Sequence, residues 1–322
     1  MTSCCNIEII PYSHELKDLW DEMVLRSKNG TFILQRDYMD YHSDRFVDNS
    51  LIVYRKGKPY CLLPASLKDD IVSSHGGLTY GGLIMSEKCT AEGILDVFAT
   101  ILDYYRKKDY KNLIYKPIPY IYHSIPSQED LYALFRHNAN LKVRNISSTI
   151  NLNNPLKFIK DRRAALRKAE SFGISVSDSQ QWENFWDILN QNLNSKYGAK
   201  PVHSLSEILS LHSKFPGNIK LYTATGKNNE IYAGLVAYIT PKVVHAQYIS
   251  ASPDGKEHGA VDAIINFLVN TEYKEKAYFD LGTSNEEGGK ILNESLIYQK
   301  EGFGGRAVCY DTYEINLTET IS

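Results

Sequence analysis

Lys220-Leu-Tyr-Thr-Ala-Thr-Gly-Lys-Asn-Asn-Glu-Ile-Tyr-Ala-Gly-Leu-Val-Ala-Tyr238 reads as strand, turn, strand, with apolar and β-branched residues on either side of the Gly226 turn. The first half of the chain has the same grammar in Leu51-Ile-Val-Tyr-Arg-Lys-Gly-Lys-Pro-Tyr-Cys-Leu-Leu-Pro-Ala65, which turns at Gly57. The elements beyond the two hairpins match as well. After the second hairpin come the strand Val243–Ser250, a helix at about Ala260–Thr271 and a strand Ala277–Leu281. After the first come the extended pieces Ile71–Ser74 and Leu78–Ile84, a helix at about Ala91–Lys107 and a strand Asn112–Lys116. Gly57 and Gly226 lie 169 residues apart and the closing strands about 164, so spacing is held through several elements, as an internal duplication requires. Each half opens on helical segments, His14–Arg26 and Trp182–Leu193. Helices, an antiparallel meander, a crossover helix and a further strand predict an α/β (α+β) fold of two similar domains, each a mixed, mostly antiparallel sheet flanked by helices. The boundary falls in the turn-rich Asn151-Leu-Asn-Asn-Pro155, between a strand Lys142–Ile150 and a helix beginning by Leu156, giving domains 1–150 and 151–322.

Composition narrows the partners. A formal net charge of −2 over 322 residues gives no global field toward nucleic acid or anionic membrane, so any polyanion site is local. The amino terminus lacks the basic start and apolar run of a signal peptide and no apolar stretch is long enough to span a bilayer, which predicts a cytoplasmic protein. Cys4, Cys5, Cys61, Cys89 and Cys309 match neither metal spacing nor an even disulfide framework and read as reduced thiols. No zinc site, Ser-His-Asp order, phosphate-binding P-loop or dinucleotide fingerprint is present.

Three segments carry chemistry. Phe158-Ile-Lys-Asp-Arg-Arg-Ala-Ala-Leu-Arg-Lys-Ala-Glu-Ser-Phe-Gly173 places Lys160, Arg163 and Arg167 on one helical face and Phe158, Ala165, Leu166, Ala169 and Phe172 on the other. Guanidinium forks suit phosphate oxygens; a solvated helix face is the plain alternative. In Val244–Ile265 a strand passes through a turn into a helix beginning at Gly259 and Ala260, whose free amides would hold phosphate. It stands where acetyltransferases of the GNAT fold place a pyrophosphate loop, and Lys256-x-x-Gly259-x-Val261 resembles their Arg/Gln-x-x-Gly-x-Gly/Ala pattern loosely. In Tyr278–Arg306 a strand runs into polar and glycine residues, then a helix that brings Leu296, Lys300 and Phe303 together.

Arg163-Ala-Ala-Leu-Arg-Lys-Ala-Glu-Ser-Phe-Gly-Ile174, Tyr278-Phe-Asp-Leu-Gly282, the Lys300–Gly304 segment and Leu78-Thr-Tyr-Gly-Gly82 together resemble the FemAB-like family, the aminoacyl- and acyltransferases built from two tandem GNAT-type domains. The resemblance extends over nearly the whole chain. It implies that Lys300 neutralises charge on the donor or the developing oxyanion, that Arg163, Arg167 and Lys168, with Gly259 and Ala260, hold donor or acceptor phosphates, and that Tyr80 lines an acceptor cleft. His203, Tyr248 and Asn285 are expected beside Tyr80. The glycines at 302, 304 and 305 would let backbone approach a ligand. Ser295 stands where the family commonly has glycine, and no pair of long heptad helices forms a tRNA-gripping arm.

The base that deprotonates an amine is open among His245, His203, Asp280 and Glu286, and a hydrogen-bonded structural role is the plainer reading of either histidine. Ser204-x-x-Glu207 predicts a capping box just after His203. The expected activity is N-acyl transfer from an acyl-CoA thioester to the amine of an envelope precursor, either a small molecule such as an amino sugar or a lipid-linked peptidoglycan peptide. Aminoacyl-tRNA is the alternative donor, and a glycan- or nucleotide-precursor-binding protein without turnover is the alternative of another class. No metal and no tightly bound cofactor is expected.

Overall fold

The computed structural model describes residues 6–318. Two compact units emerge: the chain up to Asn145 with Gly288–Lys290 and the segment from Cys309, and Ile146–Glu287 with Ile291–Val308. The segment from Cys309, which sequence order places in the second domain, clusters with the first unit because its strand pairs antiparallel with Asn112–Tyr115. Cys61 and Cys89 are buried free thiols and Cys309 an exposed one; Cys4 and Cys5 lie outside the described residues. No described helix is long and apolar enough to cross a membrane.

Unit 1 contains strands β1 (Ile7–Pro11), β2 (Leu51–Arg55), β3 (Lys58–Leu63), β4 (Ser66–Lys68), β5 (Ile71–Ser73), β6 (Ile84–Met85) and β7 (Asn112–Tyr115), with helices α1 (Lys17–Arg26), α2 (Ala91–Arg106) and α3 (Glu129–Arg136). The Gly57 hairpin forms as read, β2 against β3, inside a sheet ordered β1-β2-β3-β6. Thr90 caps α2 through a 3.2 Å bond from the Gly93 N–H, and Ile94, Val97, Phe98, Ile101 and Tyr105 bury its apolar stripe in the unit's core. β5 and β7 run parallel for three pairs, from Ile71 with Asn112 to Ser73 with Ile114. The expected extended piece Leu78–Ile84 is instead a loop that enters β6 only at Ile84. Gly82, at φ +68°, breaks it, and the Gly81 N–H bonds the Lys116 carbonyl at 2.9 Å.

The strand β8 (Asn140–Asn151) leads into unit 2, which continues with α4 (Lys160–Phe172), β9 (Ser175–Ser179), α5 (Trp182–Tyr197), α6 (Leu205–Lys214), β10 (Ile219–Thr225), β11 (Ile231–Ile239), β12 (Val243–Ala251), α7 (Ala260–Phe267), β13 (Tyr278–Thr283) and α8 (Glu294–Gly302); the last strand, β14 (Arg306–Asn316), belongs to unit 1 from Cys309 on. The basic helix starts at Lys160, later than the Leu156 expected, because Ile159 N–H is held by the Gly302 carbonyl at 2.9 Å at the far end of α8. The capping box forms at α6. Within unit 2 the strand order is β9-β10-β11-β12-β13-β8, antiparallel except between β12 and β13. On one face Leu235, Ala237, Val244, Ala246, Phe279 and Ile150 pack with Ile264 and Ile265 of α7. The other face receives α5, whose Phe185 ring occupies the space a Cβ at Gly234 would need.

Candidate active site

β12 and β13 are parallel neighbours for only three pairs, Val243 with Tyr278, Val244 with Phe279 and His245 with Asp280. Beyond His245 they part, so an open fork begins where the last pair stands, and strand-edge backbone groups beyond it have no neighbouring strand.

A bulge in β12 decides what lines the fork. Val236 opposes Tyr248 and Ala237 opposes Ala246, so Gln247 is the extra residue. Without it, residues 245 and 248 would point to opposite faces; with it, His245 and Tyr248 share the face away from α7, roughly 7 Å apart along the strand. Asp280, paired with His245, and Thr149, paired with Asp280, continue this polar row.

Asp280 is completely buried, and both oxygens of its carboxylate are engaged. Oδ1 takes the Ser147 hydroxyl, the Thr149 hydroxyl at 3.0 Å and the Gly282 N–H at 3.2 Å; Oδ2 takes His245 Nδ1 at 2.9 Å. The positive φ of Gly282, +78°, turns the strand end so that its amide reaches back to the carboxylate, and its open Cβ position faces the His245 ring. Lys300 reaches the same strand end from α8: Nζ donates to the carbonyls of Gly282 at 2.9 Å and Thr283 at 2.7 Å. Burial pushes its ammonium down to about 8, with the Asp280 charge pulling the other way. Neither Glu294 nor Glu301 pairs with it.

Three of the four candidate catalytic residues, Lys300, His245 and Asp280, are therefore placed together. Glu286 is outside this set, exposed and bonded by Asn293 Nδ2 at 2.8 Å. Tyr248 and His203 meet each other: the Tyr248 hydroxyl lies 2.6 Å from His203 Nδ1 and accepts the His203 N–H at 3.2 Å, while burial raises the phenol pKa. Asn285 accepts the Ile146 N–H at 2.6 Å and ties β8 to the loop after β13. Tyr80 belongs to unit 1, buried against Tyr122 with its hydroxyl 3.0 Å from that of Thr31.

The phosphate candidates divide. Arg163 and Arg167 are exposed on α4, and Lys168 lies 3.6 Å from Glu257. Gly259 and Ala260 are buried: the Ala165 carbonyl of α4 stands where a Cβ on Gly259 would be, and Arg162 pairs at 3.2 Å with Asp262 in the first turn of α7. The glycine there lets two helices touch, and its neighbourhood offers a carboxylate rather than an open anion site. The carboxyl-terminal glycines likewise face the protein's own chain. Gly302 meets Ile159 and Arg162, Gly304 the Leu156 carbonyl, and Gly305 Ser148. Sequence reasoning passed over Ser147 and Thr149. The available signal was Ser147-Ser148-Thr149, three hydroxyls in succession between Ile146 and Ile150 on a strand. Among the described residues no group of three His, Cys, Asp or Glu side chains is placed to hold a metal ion.

Two units, each with an antiparallel hairpin and a parallel strand pair, the pair of unit 2 opening beside a bulge, define the tandem GNAT class of fold. Solved structures agree. The chain is similar to the crystal structure of FemX with a TM-score of 0.68 at 9% identity, over 96% of this chain and 97% of that one. It is similar to L-PGS from Bacillus licheniformis with a TM-score of 0.59 at 12% identity, over 94% and 91%. It is also similar to a tandem GNAT protein from the clavulanic acid biosynthesis pathway, with a TM-score of 0.52 at 11% identity, over 98% and 100%. No protein-family model and no curated protein sequence matches the chain. The chain thus shares the fold of FemX and of the tandem GNAT protein.

Proposed function

We propose that the protein is an N-acyltransferase that joins an acyl group from a CoA-type thioester to the amine of an envelope precursor, an amino sugar or a peptidoglycan peptide, in the unit 2 fork. The observation that carries this reading is the fork itself: β12 and β13 part at His245 and Asp280, beside the Lys300 ammonium. Aminolysis of an activated acyl group asks for positioning, removal of a proton and charge stabilisation at the carbonyl oxygen. A strand fork, an imidazole and a half-buried ammonium supply these. The likeness to FemX and to the tandem GNAT protein of clavulanic acid biosynthesis supports the class of reaction.

The donor's phosphates are assigned to the outer face of α4. Lys160, Arg163 and Arg167 are exposed there. Arg163→Ala with Arg167→Ala is expected to weaken donor binding about tenfold or more, and to make the remaining affinity less sensitive to salt, with the melting temperature unchanged. Isothermal titration at two ionic strengths checks this. Equal affinity of parent and variant for every phosphate-bearing ligand would return the stripe to solvent.

The donor is tested by thermal stabilisation with CoA thioesters, bulk tRNA and nucleotide sugars, because a ligand that binds only the folded state raises the midpoint. Stabilisation by a CoA thioester followed by amide formation is expected. Tight, salt-dependent tRNA binding in a gel shift without response to CoA would move the donor to aminoacyl-tRNA. Stabilisation by a nucleotide sugar, with no transfer from any donor, would make the protein a binding module.

A further inference from the structure

We infer that His245 is the catalytic base of the fork and that Ser147, Thr149 and Asp280 are positioning residues that fix which of its nitrogens accepts the proton. The inference rests on the acyl-transfer reading for its reaction, but its geometry stands apart from it.

Three donors converge on Asp280 Oδ1: the hydroxyls of Ser147 and Thr149 and the amide of Gly282. The other oxygen, Oδ2, faces His245 Nδ1 at 2.9 Å. At 2.9 Å from the carboxylate oxygen Oδ2, an Nδ1 lone pair would meet another lone pair, whereas an Nδ1 proton makes a hydrogen bond to it. The proton of the neutral imidazole therefore sits on Nδ1, and Nε2 presents its lone pair. Nε2 has no protein partner among the described residues, and the side chain is 18% exposed whereas Asp280 is sealed. The imidazole thus joins a dry carboxylate to an accessible acceptor nitrogen at the mouth of the fork. His203, the other candidate, is buried, and its Nδ1 is already engaged with Tyr248.

In the reaction, the acceptor amine bonds to the thioester carbonyl carbon while His245 Nε2 takes one of its protons. The tetrahedral adduct then collapses with breakage of the C–S bond, and the imidazolium returns that proton to the leaving thiolate. Asp280 remains ionised throughout and stabilises the transient imidazolium, as the carboxylate of a catalytic triad does.

The order of donors predicts an unusual consequence of Asp280→Asn. The three donors at Oδ1 select the amide oxygen for that side, so the NH2 group turns toward His245 and Nδ1 must accept. The ring proton moves to Nε2, the atom that should be basic. ¹⁵N-detected imidazole spectra of the whole protein read this without any donor. Parent His245 is expected to show a protonated Nδ1 and an unprotonated Nε2, and Asp280→Asn the reverse. In turnover, His245→Gln and Asp280→Asn should each lower kcat by about 10²–10⁴ with a smaller change in KM. Ser147→Ala with Thr149→Val should lower kcat by about tenfold, and Thr149→Ser, which keeps the hydroxyl, should restore it. Parent spectra with the proton on Nε2, or His245→Gln turning over at the parent rate, would overturn the assignment. If Asp280→Asn does not fold, the parent spectrum and the hydroxyl variants decide alone. A parent that shows the Nδ1–H signature yet acylates no amine overturns the acyl-transfer reading and leaves the tautomer assignment intact.

Discussion

Lys300→Met is expected to lose acyl transfer by about a hundredfold or more while melting within a few degrees of the parent. The loss follows from place: Nζ is fixed by the Gly282 and Thr283 carbonyls at the strand end that also carries Asp280, so it is a preorganised positive charge rather than a mobile surface amine. The stability cost is small because the two lost bonds are offset by removal of a charge that burial disfavours, about 1 kcal/mol in all. Titration separates the two effects. Burial holds the ammonium at about 8 against an ordinary 10.5, so the charge needed for transfer disappears as pH rises past about 8 and activity should fall on that alkaline side. Stability moves the other way. Between about 8 and 10.5 the unfolded chain binds the proton that the folded chain has released, so folding free energy from this residue grows with pH across that window. Lys300→Arg, charged at all these pH values, should abolish the alkaline limb in whatever activity it retains. Rates from about pH 6 to 9.5 beside melting curves check this, and a Lys300→Met enzyme as active as the parent would leave the lysine a mere tie for the end of β13.

Much of this arrangement was legible because it arises from periodicity close in sequence. The hairpins at Gly57 and Gly226, the helices α2 and α7 and the strands that come after them repeat the same local signals. In both units those signals put a parallel strand pair at the same place, β5 with β7 and β12 with β13. The site is less legible because it depends on register across long separations. His245 and Asp280 were separate candidates, 35 residues apart, until the parallel pairing aligned them. The bulge at Gln247 has no compositional mark, yet it decides that His245 and Tyr248 share a face. Ser147 and Thr149 read as ordinary β-formers on a strand until β8 is laid beside β13. Glycines misled in a consistent way. At 259, 302 and 304 they suggested room for a ligand, whereas each makes room for the protein's own backbone or side chains. A missing Cβ says that something approaches closely; the sequence cannot say what.

The same point gives the largest expected effect on folding, at Gly81. In unit 1 the parallel pair also ends after three rungs, at Ser73 and Ile114, but no open fork lies beyond it. The Lys116 N–H bonds the Ser74 hydroxyl at 2.7 Å, and the loop returns so that the Gly81 N–H bonds the Lys116 carbonyl at 2.9 Å. The backbone of residues 74–82 therefore fills the place that unit 2 leaves to His245 and Asp280. Two residues past the last pair stand His75 and Lys116, with no carboxylate between them, and burial lowers their pKa values to about 3 and about 8. At its last pair this half has Ser73 and Ile114 where unit 2 has His245 and Asp280, so it has the frame of the fork without the imidazole–carboxylate pair. A Cβ on Gly81 would fall on the buried Ser74 carbonyl, well inside the 3.0 Å that real Cβ atoms keep, and both partners are backbone, so no rotamer relieves it. Gly81→Ala must push the loop out of the strand gap, at a cost of about 3 kcal/mol or more, which in a unit of this size lowers the melting temperature by roughly 6–12 °C. Tyr80→Phe, next in the chain, loses the bond to Thr31 without any backbone clash, about 1 kcal/mol. Thermal unfolding of the two variants side by side reads the difference. A Gly81→Ala protein that melts with the parent would mean that the loop yields easily, and the unit 1 fork would then have to be reconsidered as a second open site.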